Sequence, residues 1–148
     1  MVRSRRARKG FTLVELLVVI VVLAVLAAIV LPKFLGAGQR SKEAALKSDL
    51  KILRNAISLF LTDTGAYPAT LADLAATSAP ASGLDSAGNS KNITAADWNG
   101  PYIEELPNDP ISGAAFTYYT DTSGGHKVGE VRSSASGNGL DGTAYSTW

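Results

Sequence analysis

Residues Phe11 to Leu31 form a run of 21 residues in which only Thr12 and Glu15 are polar. A helix of that length rises about 30 Å, the hydrocarbon thickness of a bilayer. Glu15 stands inside the run. An ionised carboxylate there costs on the order of a few kcal/mol unless something pairs with it. Ahead of the run, Arg3, Arg5, Arg6, Arg8 and Lys9 put five positive charges into the first ten residues. By the positive-inside rule that leader stays in the cytoplasm, and the chain beyond the run lies outside.

An ordinary secretory signal would show the same basic leader and apolar run, with a cleavage site at Val25-Leu26-Ala27. A twin-arginine reading of Arg5-Arg6 lacks the polar-aromatic motif that should come after it. Two details oppose both readings. A disposable signal gains nothing from Glu15. The helical pattern also continues past Pro32: Leu46, Leu50, Leu53, Ile57 and Phe60 recur at four- and three-residue spacing. Ala44 and Ala45 favour helix, and Glu43 with Lys47 makes a supporting i,i+4 pair. Pro32, Gly36 and Gly38 weaken the middle. The pattern predicts one long helix with a soft point.

No Lys or Arg lies within the apolar run, so Glu15 has no cationic side chain to meet inside its own span. Cleavage after Gly10 would remove the basic leader and expose an α-amine on Phe11. Staggered side by side, one helix's amine can meet a neighbour's Glu15. Each charge then offsets the other's desolvation, and the pair fixes register.

Without the leader, nine Lys/Arg face 13 acids, a net −4. The interval Lys33–Arg54 is at +4, and Ile57 onward is at −7. An acidic head on a basic stem argues against a nucleic-acid binder. The absence of cysteine excludes disulfides, a lipobox anchor and thiolate metal sites. With one histidine, His126, zinc and His-based catalysis have little to work with. No nucleophile–base constellation is visible, so no enzyme activity is expected. Glu104 and Glu105 read as flanks of a turn, and His126 as an exposed turn residue.

The head begins with turn chemistry at Asp63–Pro68, where Gly65 reads as a helix stop. Thr77 to Asn92 reads as loop. Phe116–Thr120 and Lys127–Arg132 read as a hairpin turning at Thr122–Gly125, with a short third strand near Thr143–Trp148. Tyr67, Trp98, Tyr102, Phe116, Tyr118 or Tyr119, and Trp148 are the expected aromatic core. Asp85 with Asn89 only partly imitates an EF-hand. Asn92-Ile93-Thr94 matches a glycosylation acceptor, a motif that arises easily by chance.

Lys9-Gly10-Phe11-Thr12-Leu13-Val14-Glu15 resembles the processing site of type IV prepilins and type II secretion pseudopilins. Asp63-Thr64-Gly65-Ala66-Tyr67-Pro68, Trp98-Asn99-Gly100-Pro101-Tyr102-Ile103, Leu106-Pro107 and Asp109-Pro110 resemble the αβ-loop of the major pseudopilin of type II secretion. Ser136 to Gly142, with Trp148, resembles that family's Gly/Asp-rich C-terminal loop. The region Ala75–Ala96 has no clear counterpart.

The resemblance implies an α+β type IV pilin-like fold, a long N-terminal helix packed on a small C-terminal antiparallel sheet. Residues 1–10 would be the leader, 11–31 the transmembrane and assembly helix, 32–62 its amphipathic continuation, and 63–148 the head. Within the head, about 63–112 would be the αβ-loop and about 113–148 the sheet and C-terminal loop. It further implies cleavage between Gly10 and Phe11 by prepilin peptidase, N-methylation of Phe11, subunit alignment by Glu15 and a helix kink at Pro32. The implied partners are further copies of the chain, an inner-membrane platform protein, an assembly ATPase and minor pilins or pseudopilins, with no nucleic acid. The implied location is the cytoplasmic membrane as a single-pass protein, then a periplasmic or extracellular filament.

Members of this family commonly hold calcium in the C-terminal loop. Asp141 matches one donor position and Asn138 offers a second oxygen. Gly142-Thr143-Ala144-Tyr145 lacks the family's other carboxylate, and a Gly-rich turn held by hydrogen bonds is the competing reading. Two functions therefore stand side by side: a filament subunit, of a secretion pseudopilus or a type IV pilus, and a membrane-tethered or secreted binding module with an ordinary signal peptide.

Overall fold

The computed structural model describes residues 10–148, without the side chains of residues 31–35. The leader, residues 1–9, lies outside the described residues. The chain divides into two compact units, the first ending at Gln39 and the second running from Arg40 to Trp148. A single helix, α1 (Leu13–Thr64, 52 residues), supplies most of the first and the spine of the second.

In the first unit no residue of the segment Leu13–Val30 is buried. Leu13, Leu17, Ile20, Val25 and Ile29 are all exposed on it. A helix apolar all round and unburied by its own chain needs an apolar solvent or neighbouring helices. By length and composition this one can cross a bilayer. The helical backbone passes through Pro32. The Pro32 side chain, on which the expected kink rests, lies outside the described residues.

In the second unit α1 turns one face to the core. Leu46, Leu50, Leu53, Ile57 and Phe60 are all buried, with Ala56 completing the face, as their spacing predicts. Helix α1 stops at Thr64 because Gly65 takes φ +66°, with its amide donating to the Leu61 carbonyl at 2.9 Å. The Thr64 hydroxyl donates to the Phe60 carbonyl at 2.7 Å, satisfying one end carbonyl.

The stretch read as loop, Thr77 to Asn92, instead contains a hairpin. Strand β1 (Ser82–Leu84) pairs antiparallel with β2 (Ser90–Asn92), Gly83 opposite Lys91. These strands lack β-branched residues, so their composition gives no strand signal. The turn makes them: Asp85 Oδ1 accepts from the amides of Ala87 and Asn89, both at 2.8 Å. The Tyr67 and Leu84 amides and carbonyls exchange two 2.8 Å bonds, which ties β1 to the segment after α1. Asp85 and Asn89 are thus turn residues.

The second hairpin forms as expected. Strand β3 (Thr117–Tyr119) pairs with β4 (Glu130–Arg132), Tyr118 opposite Val131. Val131 is fully buried in the core cluster with α1, and Arg54 Nη2 donates to its carbonyl at 3.1 Å. Gly129, at φ +82°, lies where a Cβ would strike the Tyr67 ring. No third strand forms at Thr143–Trp148. Residues Tyr145–Thr147 make a 3-10 turn, and Asn138 and Ala144 share one isolated bridge. The described residues therefore hold two two-stranded sheets. His126 is not a free turn residue: its ring stacks on Tyr119 at 3.7 Å, with Nδ1 3.9 Å from Glu130 Oε2. The fold is α+β, a long helix against small antiparallel sheets.

Of the expected aromatic core, Phe116 is buried. Tyr67, Trp98, Tyr102, Tyr118 and Trp148 are partly buried against the cluster. Tyr102 lies 5.4 Å from the Phe60 ring and donates its hydroxyl to Asp63 at 2.9 Å, so the Trp98–Tyr102 segment is pinned to the end of α1.

Candidate functional site

Gly10 and Phe11 precede α1 and are both exposed, Phe11 at 80 %. The peptide between them lies outside the helix. Thr12 and Glu15 start the helix together. The Thr12 hydroxyl accepts from the Glu15 amide at 3.2 Å. Glu15 Oε2 accepts from the Thr12 amide at 2.9 Å and from its hydroxyl at 3.0 Å. This is a capping box, which satisfies amides that a helix start otherwise leaves open. The Glu15 carboxylate therefore has a partner in its own subunit after all, polar and uncharged. It remains the one acid in an unburied apolar helix face.

The C-terminal loop, 137–148, holds the other expected site residues apart. Asn138 is exposed and sits opposite Ala144 in a bridge whose hydrogen bonds run from the Gly139 amide to the Thr143 carbonyl at 2.8 Å and from the Tyr145 amide to the Gly137 carbonyl at 3.1 Å. Asp141 Oδ1 accepts from the Thr143 amide at 2.9 Å and hydroxyl at 2.6 Å. Those two bonds, with Lys47 nearby, hold the Asp141 carboxyl below its ordinary value. Lys47 Nζ stands 3.8 Å from Asp141 Oδ2 and 4.1 Å from the Trp148 ring centroid. Trp148 Nε1 donates to the Thr143 hydroxyl.

Calcium asks for six to eight oxygens, several of them charged. Asp141 is the sole carboxylate side chain of loop 137–148, and a lysine ammonium stands beside it. Two grooves reach Asp141: one is lined by Lys47, Leu50, Arg54, Asp141 and Trp148, the other by Arg40, Glu43, Ala44, Lys47, Leu140 and Asp141, and each carries two cations. Glu43 is buried and its Oε1 accepts from the Tyr145 hydroxyl at 2.8 Å and the Leu140 amide at 3.0 Å. Among the described residues no three His, Cys, Asp or Glu side chains are placed to hold a metal. The donor set does not fit calcium.

Sequence reasoning missed two anchors of the head. One is the Glu43–Tyr145 bond, which joins α1 to the last residues across 102 positions. The other is Asp109, fully buried. Its Oδ1 accepts from the Ile111 amide at 2.8 Å, and its Oδ2 from the Ser134 amide at 3.0 Å and the Ser133 hydroxyl. Burial opposes ionisation of Asp109, but these bonds outweigh it and hold the carboxyl below its ordinary value. The Asp109-Pro110 dipeptide was the one available signal. Glu104 and Glu105 are exposed on a bend.

Comparison with known proteins agrees with this arrangement. Residues 5–31 match the prokaryotic N-terminal methylation motif, and residues 33–145 match the family model for type II secretion system protein G. The chain is similar to the type II secretion system core protein G of Pseudomonas aeruginosa, 35 % identical over 108 residues, 72 % of this chain and 70 % of the relative. It is likewise 35 % identical over 110 residues to that of Aeromonas hydrophila, with the same coverage. To that of Escherichia coli it is 33 % identical over 111 residues, 73 % of this chain and 70 % of the relative. No solved structure matches the chain significantly. A methylation-type N-terminus, a carboxylate capping an unburied apolar helix and a family match over residues 33–145 place the chain in the type II secretion system protein G family.

Proposed function

We propose that this chain is the repeating structural subunit of a type II secretion pseudopilus, a filament built on its N-terminal helices. The observation that carries this is Glu15, the single acid of an otherwise unburied apolar span, shortly after the exposed Gly10–Phe11 peptide. Prepilin peptidase removes residues 1–10, and Phe11 is N-methylated. Residues 11–31 hold the subunit in the cytoplasmic membrane, residues 32–62 continue the helix, and residues 63–148 form the head beyond the membrane. The leader's positive charge keeps the N-terminus in the cytoplasm. On assembly the Phe11 amine of one subunit pairs with Glu15 of a neighbour, and the apolar helix faces pack against one another. A platform protein, an assembly ATPase and minor pseudopilins are the machinery that such a subunit requires.

The relatives' shared name, core protein G, supports a pseudopilus over a surface pilus. The test replaces Glu15 with Ala in the native host. Processing continues, and disulfide cross-links between engineered cysteines on adjacent heads disappear. Retained cross-linking and secretion would favour the tethered binding module. Abundant sheared surface filaments at native expression would point to a pilus.

A further inference from the structure

We propose that Lys47 replaces a metal ion as the cation that closes the C-terminal loop, so that the head folds without calcium. This holds whether or not the chain assembles into a filament. Three observations carry it. Lys47 Nζ lies 3.8 Å from Asp141 Oδ2 and 4.1 Å from the Trp148 ring centroid, so one ammonium from α1 engages both the loop's only carboxylate side chain and its last ring. The other carboxylate oxygen is committed to Thr143, whose hydroxyl also receives the Trp148 indole N–H. The loop is further closed on itself by Gly139 N–H to the Thr143 carbonyl at 2.8 Å and Gly142 N–H to the Gly139 carbonyl at 2.9 Å.

A dication would gain one carboxylate here and meet the Lys47 ammonium at close range. Calcium in such a loop neutralises acids and draws distant turns together. Lys47 does both with a side chain carried by the rigid helix. Its ammonium balances Asp141, and the Trp148 ring face adds cation–π attraction. The aromatic contact between Tyr145 and Trp148, edge-on at 5.1 Å, passes this anchoring on to the buried Tyr145–Glu43 bond.

The test is thermal unfolding of the full chain in detergent, followed by tryptophan fluorescence. Equal Tm in chelator and in millimolar calcium chloride is expected, with no saturable calcium heat by calorimetry. Lys47→Met keeps the apolar stem but removes the charge, and lowers Tm by about 3–5 °C. Lys47→Arg keeps the charge and restores most of that loss. Asp141→Asn and Lys47→Met together cost less than the sum of the two, because the partners are shared. A saturable rise in wild-type Tm with calcium would overturn the proposal. So would an unchanged Tm in Lys47→Met, or equal losses in Lys47→Met and Lys47→Arg.

Discussion

The Glu15 carboxylate accepts two hydrogen bonds from Thr12, one from the amide at 2.9 Å and one from the hydroxyl at 3.0 Å. The lone subunit thereby keeps its one intramembrane acid satisfied without a countercharge. A neighbour's amine offers Glu15 a stronger partner than a hydroxyl does. In the proposed filament the cap would be the resting arrangement and the ion pair the assembled one. Glu15→Gln separates the two roles. Its amide oxygen can still accept from Thr12, but it cannot pair with an amine. We expect Glu15→Gln to be processed normally and to lose cross-linked oligomers at least tenfold. Thr12→Ala should cost only about 1 kcal/mol of helix capping and leave oligomers abundant. Immunoblots of membranes after cross-linking read both.

On α1, Phe60 and Leu59 are sequence neighbours with opposite fates. Phe60 is fully buried, and Leu59 is 55 % exposed. Phe60→Ala should destabilise the head by about 3–5 kcal/mol. Leu59→Ala should stay within about 0.5 kcal/mol of wild type. Denaturant unfolding of the two variants in parallel checks the direction of the buried face.

Tyr145→Phe removes the hydroxyl that meets Glu43 and leaves the ring in place. Glu43 is buried, so losing a donor should cost about 1–3 kcal/mol. Faster exchange of the Leu140 amide, the second donor to Glu43 Oε1, should accompany the loss. Hydrogen-exchange mass spectrometry of the C-terminal segment measures it.

Acid should loosen the head. Asp109 is held below its ordinary value by the Ser133 and backbone hydrogen bonds, against the opposing effect of burial. Its folded pKa lies below its unfolded one. It therefore contributes stability that is fully present above about pH 4, the ordinary aspartate range, and is lost as pH falls through the folded value. Asp85, Asp121 and Asp141, held by hydrogen bonds in their turns, shift in the same direction. So does Glu130, where bonds from the Lys127 amide and Arg132 overcome burial. Asp49 shifts upward, through burial and the Asp109 charge, and opposes them. Chemical denaturation from pH 6 to pH 3 should show stability falling steeply below about pH 4, with Asp109→Asn less stable at neutral pH and flatter in its acid dependence.

Legibility in the sequence tracks physical range. The buried face of α1 was legible because burial repeats with the helix period, and Leu46 to Phe60 keep that period without a break. Gly65 was legible because few residues other than glycine accept its backbone angles. The hairpin β3–β4 carried strand composition in Thr117-Tyr118-Tyr119. The hairpin β1–β2 did not: Ser-Gly-Leu and Ser-Lys-Asn are held by the Asp85 turn and by Tyr67, which a composition window cannot see. The Thr12–Glu15 cap was readable in principle as Thr-x-x-Glu ahead of an apolar run. The pairings of Glu43 with Tyr145, Lys47 with Trp148 and Asp109 with Ser133 join residues far apart in the chain, and nothing local marks them.

The N-terminus of the mature protein tests the filament reading most directly. Intact-mass and peptide mass spectrometry of the chain purified from its host should find a chain beginning at N-methylated Phe11, with residues 1–10 gone. A mature chain beginning at Ala28, without Glu15 or most of the apolar run, would contradict it.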